Sequence, residues 1–126
     1  MCAEDTVIAV VDDSDVIREA LEHVLVAAGY RTELYASAEE FMRAAPATRA
    51  ACLVVDVELG ATSGPQLLLD LPAHGRHFPA ILMSGSDDPA LPDLATELGC
   101  VAFLPKPFAP NDLLKVLART LVFGGN

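Results

Sequence analysis

Five side chains with chemistry in them fall at corresponding places along this sequence. Asp12 and Asp13 follow the apolar run 6–11, Asp56 ends the run 52–56, Ser84 ends 79–84, and Lys106 comes just after 101–104. A carboxylate at the exit of a buried strand needs a partner or a metal. Three of them together raise one another's pKa values unless a cation joins them. Magnesium is the expected ion, because it is hard, prefers oxygen and commonly takes one or two carboxylates with water and phosphate. One carboxylate of such a set can attack phosphorus and become an aspartyl phosphate. The ion, the Ser84 hydroxyl and the Lys106 ammonium would then neutralise the equatorial oxygens. These residue types point to a phosphoryl-acceptor site.

The elements that must bring these residues together can be read from periodicity. Cys52-Leu53-Val54-Val55-Asp56-Val57 is apolar throughout instead of alternating, as in a parallel strand buried on both faces. Further strands are expected at 6–11, 31–35, 79–84 and 101–104. Between the first two, Val16, Ile17, Ala20, Leu21, Val24 and Leu25 recur at helical spacing, with Gly29 placed to close the helix. Ser37-Ala38-Glu39-Glu40 is a capping box for a helix that ends before Pro46. Gly64-Pro65 opens a Leu-rich helix reaching to near Pro72, and 74–77 is a turn. The segment 89–98 is helical by composition, although Pro89 and Pro92 blur its start, and Gly99 closes it. An amphipathic helix over 110–122 precedes a frayed end at 123–126. Strand and helix alternate, so the fold class is α/β: a doubly wound parallel sheet with helices on both faces. Chemistry in such sheets collects beyond the carboxyl ends of the strands.

Composition narrows the function further. The 126 residues suit one domain, 1–126, without repeat or linker. A formal net charge of -10 argues against this chain gripping nucleic acid or an anionic membrane surface. Charged residues, Pro or Gly interrupt every apolar run, and Glu4 and Asp5 stand where a signal peptide would need positive charge. A cytoplasmic location is expected. Cys2, Cys52 and Cys100 have no metal or redox spacing and read as core thiols. His23, His74 and His77 lack partners for a zinc site.

The order of Val10-Val11-Asp12-Asp13-Ser14, Leu53-Val54-Val55-Asp56 with Gly64, Met83-Ser84-Gly85 and Phe103-Leu104-Pro105-Lys106-Pro107-Phe108 resembles the receiver domain of two-component response regulators. This CheY-like resemblance covers nearly the whole chain, and the motifs look most like FixJ-type receivers. It implies a flavodoxin-like (βα)5 three-layer sandwich with strand order 2-1-3-4-5. It also implies Asp56 as phosphoacceptor, with magnesium held by Asp12, Asp13, Asp56 and the backbone carbonyl of Glu58. Ser84 would hydrogen-bond the phosphoryl group, Lys106 would pair with it, and Phe103 would be the switch aromatic. The Lys106–Pro107 bond is expected to be cis. The implied partners are a sensor histidine kinase or histidine phosphotransfer protein, a downstream output partner or domain, and a homodimer formed on phosphorylation. Three positions depart from the pattern. Gly60 stands where many relatives have Pro, Glu58 adds negative charge beside the site and is expected to alter dephosphorylation, and Pro92 is expected to shorten the helix after Ser84.

Other readings compete with this one. The Asp12–Asp15 cluster alone suits an acidic helix N-terminus, Ser84 ordinary turn material, Lys106 a snorkelling strand end and Phe103 core. A degenerate receiver serving as a phosphorylation-independent binding module would keep the fold without the chemistry. A haloacid-dehalogenase-like phosphohydrolase uses similar groups, but it carries its nucleophile on the first strand and its acid pair last, the reverse of the order here. The expected role is a signalling phosphoacceptor, not an enzyme, with at most self-catalysed phosphorylation and dephosphorylation.

Overall fold

A computed structural model describes residues 5–124, with side chains described through residue 121. Five strands, β1 (Val7–Val11), β2 (Arg31–Tyr35), β3 (Ala50–Asp56), β4 (Ala80–Ser84) and β5 (Ala102–Pro105), form one parallel sheet in the order β2-β1-β3-β4-β5. Five helices connect and cover them: α1 (Asp15–Ala27), α2 (Ala38–Ala44), α3 (Gly64–Asp70), α4 (Leu91–Glu97) and α5 (Pro110–Gly124).

Alternate residues of each strand feed two separate cores. Ala9, Val11, Leu53, Val55 and Leu82 pack with Phe41 of α2, Leu67 of α3 and Ala95 of α4. Ile8, Val10, Cys52, Val54, Ile81 and Met83 pack with Leu21 and Leu25 of α1 and Leu113 and Leu117 of α5. The central strands are therefore buried on both faces, which is why they lack polar alternation.

Local chemistry fixes the helix ends. Ser14, Ser37 and Ser63 accept the N–H groups of Ile17, Glu40 and Gln66, and the Glu40 carboxylate reaches back to the Ala36 N–H. Gly29, past the end of α1, has the left-handed φ of 98° that this exit favours. At the amino ends of the strands, Arg76 donates to the carbonyls of Ala45, Pro46 and Thr48 and lies over the Phe78 ring. That end of the molecule is stapled by one guanidinium.

Several expectations need correction. The stripe assigned to α1 is too wide, because Val16 is 75% exposed and Ala20 is also exposed, while Leu21 and Leu25 carry the burial. At about 3.6 residues per turn, Val16 falls on the side of α1 opposite the buried Leu25. α5 continues to Gly124 through half of the expected frayed end; Gly125 and Asn126 lie outside the described residues, as does Cys2. Cys100 precedes β5 and is half-buried, whereas Cys52 is a core thiol whose burial pushes its pKa up to about 12. The 74–77 turn is partly a 3-10 turn, Leu71–His74, capped by Gly75 in the left-handed region. α4 starts at Leu91 with Pro92 in its first turn and is seven residues long. Among the described residues no helix is long and apolar enough to cross a membrane.

Candidate functional site

The sheet register places the expected site residues side by side. Val11 pairs with Val55, Asp56 with Met83, and Ser84 with Pro105, so their chain exits share one edge. Backbone bonds continue past the ladder: Val57 N–H donates to the Met83 carbonyl at 2.9 Å, and Lys106 N–H to the Ser84 carbonyl at 2.7 Å. The site thus stands on fixed strand ends.

Asp12, Asp13 and Asp56 each offer a carboxylate oxygen within 4.8 Å of the others. Asp12 is fully buried; its Oδ1 accepts the Ser14 N–H at 2.9 Å, and its Oδ2 accepts Lys106 Nζ at 3.0 Å. Lys106 also lies 3.4 Å from Asp56 Oδ2 and so bridges the two buried acids. Asp13 is the exposed member. The Lys106–Pro107 peptide bond that follows is cis.

Two enclosed carboxylates and one ammonium leave an imbalance. Burial, with the Asp12 charge adding to it and Lys106 only partly offsetting both, raises the Asp56 pKa from 3.8 to about 6. Burial alone would lower the Lys106 pKa, but Asp12 and Asp56 outweigh it and raise the value. Among the described residues, Asp56 Oδ1 is buried without a hydrogen-bond partner. An orphaned carboxylate oxygen beside two more acids fits a hard divalent cation, and this all-oxygen donor set suits magnesium. These groups fit the expected ion.

Ser84 is fully buried at the end of β4, and its hydroxyl turns to Glu58, lying 3.1 Å from both Oε1 and Oε2. Its oxygen also accepts the Ser86 N–H at 3.0 Å. Phe103 is half-buried on β5 and packs against the α2–α4 side of the core. The structure therefore brings Asp12, Asp13, Asp56 and Lys106 together, with Ser84 reaching Glu58 and Phe103 standing apart in the packing.

Three contributions escaped the sequence reading. The Glu58 side chain, expected only as added charge, is the partner of Ser84. Arg18 donates to the Asp12 carbonyl at 2.6 Å and pairs with Asp15, clamping the β1–α1 turn; its spacing from Asp15 is a signal that could have been read. Gly64 carried no stated reason, yet a Cβ there would meet the Asp56 carbonyl oxygen at 2.1 Å. Gly60, in turn, has φ +86°, a backbone conformation closed to proline.

Comparison with known proteins agrees with this geometry. The family model described as the response regulator receiver domain matches residues 8–118. The transcriptional regulatory protein FixJ of Azorhizobium caulinodans is 37% identical over 118 residues, which is 94% of this chain and 56% of that protein. The response regulator protein TmoT of Ectopseudomonas mendocina is 30% identical, over 94% of this chain and 54% of its own length. The chain spans about half the length of these curated relatives. Among solved structures, the crystal structure of FixJ-N superimposes with a TM-score of 0.84 at 30% identity, covering 91% of this chain and 92% of that one.

Proposed function

This chain belongs to the response regulator receiver domain family, and from that premise we propose that residues 1–126 are a single receiver that takes a phosphoryl group onto Asp56. The observation that carries the reading is the Asp56 carboxylate: buried, with one oxygen unpartnered among the described residues, two acids within 4.8 Å and Lys106 across from it.

The donor is a phosphohistidine on a sensor histidine kinase or phosphotransfer protein. An Asp56 oxygen attacks phosphorus as the P–N bond breaks, and the electron pair stays on the imidazole, which picks up a proton from water. Asp12, Asp13, Asp56 and the Glu58 backbone carbonyl would hold magnesium, which when bound neutralises charge on the phosphoryl oxygens. Lys106 pairs with the transferred group, because its ammonium already lies within reach of Asp56. Ser84 donates its hydroxyl proton to a phosphoryl oxygen, and Phe103 turns inward to fill the space that Ser84 vacates. The surface so altered is read by an output partner or domain, with phosphorylation-dependent homodimerisation as one form of output. The domain is a switch and not a turnover catalyst, apart from self-catalysed gain and loss of phosphate. It works in the cytoplasm and, in keeping with its net charge of -10, contacts neither nucleic acid nor membrane itself.

The test is intact mass after incubation with magnesium and acetyl phosphate. Wild type should gain one phosphoryl group, with none gained in chelator or by Asp56→Asn. Wild type that stays unlabelled, also with a phosphohistidine donor, would instead leave a binding module.

A further inference from the structure

We propose that Glu58 is a resting-state latch, whose carboxylate holds the hydroxyl proton of Ser84 that a phosphoryl group on Asp56 must take from it. The inference rests on Asp56 being the phosphoacceptor, and it assigns Glu58 the part of a positioning residue acting through Ser84.

A serine hydroxyl has one proton to donate. In Ser84 it faces both Glu58 oxygens, each at 3.1 Å, while the hydroxyl oxygen accepts the Ser86 N–H at 3.0 Å. The donor is committed, and an acceptor position is filled as well. Ser84 cannot serve a phosphoryl oxygen while it serves Glu58. The bond is charge-assisted, but at 3.1 Å to each of two oxygens it is longer than the tightest bonds of that kind and so easily exchanged.

Burial decides which partner moves. Ser84 is fully buried at a strand end whose carbonyl accepts Lys106 N–H, whereas the Glu58 residue is exposed on the turn leaving β3. On release the carboxylate passes into water at little desolvation cost, and the hydroxyl turns to the phosphoryl group. Glu58 acts in a second way through its charge, which repels an incoming anion. Proton capture and repulsion are separable: Glu58→Gln removes the charge but keeps an oxygen that can accept, and Glu58→Ala removes both.

The experiment measures beryllofluoride affinity in magnesium, by fluorine NMR, for wild type, Glu58→Gln, Glu58→Ala, Ser84→Ala and the Glu58→Ala/Ser84→Ala double variant. Release of one charge-assisted bond should tighten binding about tenfold in Glu58→Ala. In the Ser84→Ala background the same change should have an effect under about threefold, because no hydroxyl remains to be freed. Glu58→Gln should fall between wild type and Glu58→Ala. Equal tightening with and without Ser84 would overturn the latch in favour of simple repulsion, and unchanged affinity in Glu58→Ala would overturn it outright. Wild type that binds no beryllofluoride and takes no acetyl phosphate label would remove the phosphoacceptor reading, and the latch with it.

Discussion

Gly64 opens α3 directly against the backbone of Asp56, and Gly64→Ala should disturb both stability and chemistry. The added Cβ would lie 2.1 Å from the Asp56 carbonyl oxygen and 2.9 Å from Val55 Cγ1. The valine can turn, but the carbonyl is main chain. Opening that contact to the 3.0 Å that a real Cβ tolerates means a backbone retreat of about 0.9 Å. The Gly64 N–H bond to the Val57 carbonyl, 3.0 Å long, resists the movement. Overpacking of this kind costs about 1–3 kcal/mol, and a weakened buried hydrogen bond adds about 1 kcal/mol. The better helix propensity of Ala returns less than about 1 kcal/mol, leaving a loss of roughly 2 kcal/mol. In urea this moves the midpoint down by about 1 M. A nucleophile displaced by about 1 Å should also label roughly 100-fold more slowly with acetyl phosphate. Gly85→Ala is the control, since Gly85 is exposed and its Cβ would meet nothing within 4 Å. A Gly64→Ala protein with the midpoint and labelling rate of wild type would refute the argument.

Two further predictions concern the same loop and its carboxylate. Between the ordinary Asp56 pKa of 3.8 and its folded value of about 6, the folded protein binds more protons than the unfolded chain. Stability from this group therefore falls as pH rises through that window and stays reduced above it. In chelator at pH 7.5, Asp56→Asn should be the more stable protein by roughly 1–2 kcal/mol, a figure reduced for the open rim of the site, and should lack that decline; equality in urea unfolding would contradict the account. Gly60→Pro should destabilise by more than about 1 kcal/mol because φ +86° is closed to proline, and Gly60→Ala by about 1 kcal/mol. A thermal midpoint of Gly60→Pro at or above wild type would count against the turn as described.

The central strands β1, β3 and β4 were legible because burial on both faces leaves an apolar run, and the site was legible because parallel strands carry their chemistry at one end. Asp12, Asp13, Asp56 and Lys106 could be placed from topology alone. What Ser84 touches could not. Its partner Glu58 lies 26 residues away on another loop, and the choice of that carboxylate over Asp56 depends on side-chain rotation, which no spacing encodes. Val16 misled although the helical repeat excludes it: at about 3.6 residues per turn it lies on the side of α1 opposite the buried Leu25. Gly64 is plain in the sequence as a glycine, while its reason, the approach to the Asp56 carbonyl, exists only once β3 and α3 are packed.

The hydrogen bonds that run past the ends of β3, β4 and β5 bear on time as well as geometry. Met83 and Ser84 offer their carbonyls to Val57 and Lys106, so the main chain carrying the hydroxyl is held from both sides. A hydroxyl on so constrained a strand changes partner by turning about its own χ1, without sliding the strand. Single-bond rotations of this kind belong to the picosecond-to-nanosecond range when room exists, whereas loop and helix rearrangements extend to microseconds and beyond. In the switch proposed above, the Ser84 rotation is thus the fast step, and any slow step belongs to rearrangement of a loop or helix.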